Sequence, residues 1–146
     1  MATFYQLYLQ RIHNEKSLKP IVQIDLVDIS DKIAVHVQNN GIGPYIIKRL
    51  SYVRDGESTE DIETCLQLDP RTYQHISPLG SSVKTVLPNN FLPVFSIPID
   101  GKITDKASST RTELSKLKLV IEGVDIYDNR IIIERELDWF VRHQSK

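Results

Sequence analysis

The hydrophobic period of this chain changes at Pro20, and that change constrains the fold more than any other feature. Before it, Phe4, Tyr8 and Ile12 recur every fourth residue with Tyr5 and Leu9 beside them, the spacing of one face of a helix. After it, Val22, Ile24 and Leu26 alternate with Gln23 and Asp25, and Ile33, Val35 and Val37 alternate around Ala34 and His36. Period two means strands with one buried face, and the two runs joined around Ile29-Ser30-Asp31 predict a hairpin. Asn39-Asn40-Gly41-Ile42-Gly43-Pro44 then predicts a sharp irregular turn, because its Gly and Asn residues tolerate positive φ and its Pro cannot donate to a ladder. Tyr45 to Val53, closed by Asp55-Gly56, predicts a third strand.

The middle is less periodic. Glu57 to Leu68 reads as a short helix, from the spacing of Ile62, Cys65 and Leu66, or as an edge strand. Five of the seven prolines, at 70, 78, 88, 93 and 98, fall in the next stretch. Pro is excluded from the centre of a ladder, so loops and edge strands are expected there, with Val83 to Leu87 and Phe91 to Ile99 as short strands. Thr104 to Leu114 reads as a polar loop or a brief helix capped by Thr104 or Ser108. Leu117, Leu119 and Ile121 then restore the alternation, Asp125 to Asn129 turns the chain, and Arg130 to Trp139 returns. The expected fold is all-β: an antiparallel β-sandwich or small β-barrel of about seven or eight strands over residues 20–146, preceded by a short amphipathic helix over residues 1–19.

Charge narrows the partners. Lys and Arg number 18 against 19 Asp and Glu, a net charge of −1, and a duplex nucleic-acid binder needs a basic surplus to neutralise phosphates. The balance is uneven along the chain: up to Pro20, Arg11, Lys16 and Lys19 face a single acid, Glu15, leaving a mildly acidic remainder. Aromatic rings followed by basic residues are the pattern of the cytoplasmic edge of a membrane span. Residues 1–19 therefore read as a juxtamembrane helix with any membrane anchor preceding it, since no apolar run approaches the ~20 residues of a spanning helix. The same face also suits packing on the domain or on a second copy of the chain. The single Cys65 cannot form an internal disulfide and points to a reducing compartment.

Catalytic and metal-binding patterns are not apparent. His13, His36, His75 and His143 have no partners at zinc-ligand spacing, and Asp25, Asp28 and Asp31 do not follow the alternate-position template of a calcium loop. Gly41-Ile42-Gly43 lacks the third glycine and the following helix of a phosphate loop and reads as a structural turn. His36 reads as a solvent-facing or rim residue. No nucleophile elbow or placed carboxylate pair is present, so neither enzyme activity nor a cofactor is expected. One constellation points to binding. If the segment is extended, Arg71, Tyr73 and His75 share a face, and a cation, a ring and an imidazole together suit a stacked base and a phosphate. Arg111 is a second candidate anion contact. The plain alternative is a solvated edge strand with a polar outer face.

Three stretches carry a resemblance. Arg11 to Ile21 (RIHNEKSLKPI), Val37 to Lys48 (VQNNGIGPYIIK) and Tyr52 to Gly56 (YVRDG) resemble the extramembrane part of uncharacterised bacterial membrane proteins. In those, N-terminal spans lead through an HN…S…P junction into a β domain with an NNGxGPxxIK turn. Val124 to Asn129 is similar to their DxYG hairpin, with Asn129 standing where Gly is expected. Within that group the chain is similar to two-transmembrane β-domain effectors of prokaryotic antiphage signalling. The resemblance implies a cytoplasmic domain at the inner membrane that senses a cyclic oligonucleotide second messenger and signals by homo-oligomerisation. The alternative is an Ig-like structural or protein-interaction module without a small-molecule ligand.

Overall fold

The alternating runs after Pro20 become strands, and their buried faces meet. In the computed structural model, which describes residues 6, 18–76, 84–99 and 104–141, the chain runs through β1 (Val22–Asp28), β2 (Lys32–Asn39), β3 (Tyr45–Arg54) and β4 (Glu57–Thr59). One turn of α-helix, α1 (Ile62–Cys65), and one of 3-10 helix (Pro70–Thr72) lead to β5 (Gln74–His75), β6 (Lys84–Val86) and β7 (Asn90–Pro98). A longer helix, α2 (Thr104–Ser115), precedes β8 (Lys118–Val124), β9 (Arg130–Glu136) and a final 3-10 turn (Asp138–Val141). The expected helix over residues 1–19 lies outside the described residues except for Gln6, Leu18 and Lys19.

All pairings are antiparallel, in two sheets ordered β1-β2-β7-β5 and β4-β3-β8-β9, with β6 on the same edge of β3 as β4. Lettering the strands in chain order and setting β6 aside, the sheets read A-B-E-D and C′-C-F-G, the order of immunoglobulin-type sandwiches. One core fills the space between them. Ile33, Val35 and Val37 of the first sheet and Leu50, Leu119 and Ile121 of the second are almost fully buried in a single cluster. On the open side, β1 and β9 form no ladder. Instead Arg135 on β9 donates from Nη1 to the Ile24 carbonyl on β1 at 2.6 Å. The fold is therefore a sandwich and not a closed barrel.

Several expectations are corrected. There are nine strands among the described residues, because β4 and β5 are two or three residues long and carry too little pattern to be seen. Glu57 to Leu68 holds both a strand and a helical turn. Of the two alternatives for Thr104 to Leu114, loop or brief helix, the chain takes the helix, and it runs to Ser115. Pro93 and Pro98 lie in β7, which is an inner strand, contrary to the edge expected from its prolines. Pro93 is accommodated because β5 pairs only with Phe95 and Ser96, leaving it beyond that short ladder, and because the β2–β7 register shifts between Val35 and His36 beside it.

Candidate functional site

The four candidate binding residues do not converge. Asp69 caps the 3-10 turn, accepting from Arg71 N, and its carboxylate also takes the Arg71 guanidinium at 3.2 Å. That turn breaks the extended run, so Arg71 points into solvent with 90% of its side chain exposed. Asp69 is held below the usual carboxylate range by the Arg71 side chain, and Arg71 is pushed up by the same bond. Tyr73 goes inward. Its ring packs against Phe95 at 5.0 Å and burial raises its phenol to about 12. His75 does share Tyr73's side, with ring centroids 5.8 Å apart, and its Nε2 lies 3.3 Å from Glu63. Arg111 sits on α2 and forms a two-pronged pair with Asp28 on β1, at 2.8 and 2.9 Å, which raises its pKa chiefly through that hydrogen bond. Both arginines are thus bound to a carboxylate, and only the Tyr73–His75 pair is brought together.

A groove of about 470 Å³ runs between β4 and α1, lined among others by Arg54, Glu57, Thr59, Thr64, Cys65 and Gln67. Its cation already faces two carboxylates, Asp55 at 4.0 Å and Glu113 at 2.9 Å. Arg54 Nη1 donates to the Cys65 carbonyl at 2.6 Å and to Glu113 at 2.9 Å. Glu113, buried on α2, also accepts from Gln67 N and Lys116 Nζ. Burial pushes the Glu113 carboxyl up, but these donors outweigh it and hold it below the usual range. Cys65 is raised, first by burial, so its thiol stays protonated, which suits packing rather than nucleophilic chemistry. Among the described residues no group of three or more His, Cys, Asp or Glu is placed to hold a metal ion.

A buried polar hub that sequence reasoning did not single out lies at one end of the sandwich. Asn39 is fully buried at the end of β2. Its amide nitrogen donates to the carbonyls of Gly43 (2.8 Å) and Val86 (3.0 Å), and its oxygen accepts from Ile21 N and Gly41 N. Gly41 and Gly43 are there for closeness, not for positive φ as the sequence suggested. A Cβ on Gly43 would lie 1.7 Å from the Leu18 carbonyl oxygen, and one on Gly41 within 2.5 Å of backbone at Lys19 and Ile21. The signal was present as Asn-Asn-Gly-x-Gly directly after an alternating strand. Beside it, Asp125 accepts from Tyr127 N, Asn129 N and the Asn129 side chain, so Asn129 completes this turn by its amide. Burial opposes ionisation of Asp125, yet these donors keep it below the usual carboxylate range.

The remaining feature is the edge of β9. Among the described residues β9 pairs only with β8, with Ile132 facing out at 48% exposure between half-buried Ile131 and Ile133. The charged residues around it pair along the sheet, Arg130 with Glu122 and Lys118 with Glu134. His36, expected at the rim, is half-buried on β2 and stacks on Phe91 at 4.6 Å, with burial and Lys32 lowering its pKa.

The fold and these sites define an antiparallel two-sheet sandwich of immunoglobulin-type strand order with an open edge. No protein-family model matches the chain, and no curated protein does. Among solved structures the chain is similar to a protein from Archaeoglobus fulgidus at 13% identity and a TM-score of 0.27, over 80% of this chain and 93% of that one. No helix among the described residues is long and apolar enough to cross a membrane.

Proposed function

We propose that this chain is the assembly domain of a membrane-anchored protein, working by strand addition between copies along the edge of β9. The observation that carries the reading is that open edge. A strand with one unpaired edge and an outward Ile is a template for another strand. Antiparallel self-pairing centred on Ile132 sets Ile131 opposite Ile133 of the second copy and Arg130 opposite its Glu134, so both the apolar and the charged residues are complementary. It uses the half of β9 away from Arg135, which is occupied by β1. So short a ladder is weak in free solution, and tethering on a membrane raises its effective concentration. The membrane placement rests on the aromatic-then-basic order of residues 1–19 and on the resemblance. Sedimentation velocity at rising concentration tests the assembly: the parent chain should show a concentration-dependent dimer, and Ile132→Lys should remain monomeric. Identical sedimentation of the two at every concentration removes the reading.

Cyclic-oligonucleotide sensing in antiphage defence is the second reading, favoured by the groove beside Arg54, whose volume falls in the range of small-molecule sites. Titration with cyclic di- and trinucleotides followed by thermal shift distinguishes it. Binding that Arg54→Gln weakens supports sensing; a flat response to the whole panel leaves assembly as the function.

A further inference from the structure

Seven large apolar side chains are exposed among the described residues, and five of them gather at one end of the sandwich. Antiparallel topology explains which end. β1 begins, β2 ends, β3 begins, β6 ends, β7 begins, β8 ends and β9 begins at the Asn39 end, so three connections and the segment entering β1 meet there. Each carries one aliphatic tip: Ile21 ahead of β1, Ile42 between β2 and β3, Leu87 between β6 and β7, and Ile126 between β8 and β9, exposed by 62, 68, 55 and 46%. Phe91, at the start of β7, is the fifth. The opposite end carries only Ile29 of the seven, and Ile132 lies mid-strand on β9.

We infer that this end, through Ile21, Ile42, Leu87 and Ile126, seats on the surface of a lipid bilayer. Two arguments select lipid over a second copy or another protein. The tips stand on separate loops with Asn40, Asn89 and Asp128 between them, whereas a protein interface needs a contiguous apolar centre; a fluid headgroup layer admits separate points and hydrates what lies between them. The chain also enters the fold here. The backbone of Leu18 and Lys19 lies against Gly43 and Gly41, and Ile42 N donates to the Lys19 carbonyl at 3.3 Å. Residues 1–19, with three aromatics in their first part and three Lys or Arg against one acid, therefore join the domain at its apolar end, and an amphipathic segment of that composition has affinity for an anionic surface. The carboxylate most central to this end, Asp125, is buried and satisfied within its own turn, so it does not oppose the approach.

The inference rests on the membrane placement proposed above and not on the pairing of β9. It is tested by flotation of the full 146-residue chain with mixed phosphatidylethanolamine and phosphatidylglycerol vesicles. Three proteins are compared: the parent; a tip variant carrying Ile42→Ser, Leu87→Ser and Ile126→Ser, all exposed positions whose change leaves the core intact; and a stem variant carrying Phe4→Ser and Tyr8→Ser. The expected result is vesicle binding by the parent and a loss of about tenfold or more in the tip variant, with Ile29→Ser, at the opposite end of the sandwich, as an exposed control that binds as the parent does. If the tip variant binds as well as the parent while the stem variant is lost, the loop tips do not touch lipid and the membrane placement alone survives. If the parent does not bind at all, both fall.

Discussion

At the scale of single residues, burial of a polar group has opposite consequences at Asn39 and at the two core tyrosines. All the hydrogen-bonding capacity of Asn39 is used, so Asn39→Ala would orphan two carbonyls and two N–H groups in a buried place and is expected to cost about 3 kcal/mol or more. The hydroxyls of Tyr52 and Tyr73 are buried with no hydrogen-bond partner among the described residues. Their rings fill the core beside α1, and the phenolic oxygen adds only a desolvation cost. Tyr73→Phe should therefore leave stability within about 1 kcal/mol of the parent or raise it, where a hydrogen-bonded tyrosine would lose by the same change. Urea unfolding of the two variants reads both outcomes, and equal losses in both would contradict the assignment. Tyr45 marks the contrast inside the same core, since its hydroxyl donates to the Ile131 carbonyl at 2.9 Å and ties β3 to β9.

At the scale of elements, α2 is held to the sandwich by polar contacts as much as by apolar ones. Its buried residues are Ala107, Thr110, Glu113 and Leu114, a helical stripe at three- and four-residue spacing. Two of the four are polar, so the stripe cannot be seen by apolar periodicity, and this is why the sequence leaves loop and brief helix open where the helix forms. β1, β2 and β8 were legible because one face of each is apolar and the other is not. The 3-10 turn at Arg71 was legible too, had Asp69-Pro70 been taken as a cap followed by Pro at the first helical position. The Arg111–Asp28 pair was not, because its partners are 83 residues apart and only the fold brings them together. Asp28 is nearly buried and the contact is a planar fork, so Arg111→Lys should recover only part of it. Loss of about 1–2 kcal/mol is expected for Arg111→Ala and more than half of that for Arg111→Lys, by thermal or urea unfolding. A lysine that restores full stability would show that charge, not fork geometry, holds α2 to β1.

At the scale of the whole molecule, the lowered carboxylates set the acid limit of the fold. Glu113 and Asp125 both sit below the usual carboxylate range in the folded chain, so between their folded and unfolded values the unfolded state binds more protons. Stability from these groups is complete above about pH 5 and is lost as pH falls through the lowered folded values. His36 acts in the same direction. Its lowered pKa means the unfolded chain takes up that proton first, which adds a shallow decline beginning near pH 6.5. Unfolding free energy measured against pH should rise from acid to neutral, and Glu113→Gln should both lower the plateau and flatten the acid limb. An unchanged acid slope in that variant would place the titrating groups elsewhere.

The Asn39 hub also has a mechanical meaning. Whatever force reaches Leu18 along the chain passes at once into a side chain that grips the start of β1, the β2–β3 turn and the end of β6 together. There is no compliant linker between Leu18 and the sandwich, because Gly41 and Gly43 close on the backbone of Leu18 and Lys19. Leu18 to Ile21 and both sheets are tied together at this end, so the orientation of Leu18 fixes the direction in which the open edge of β9 faces.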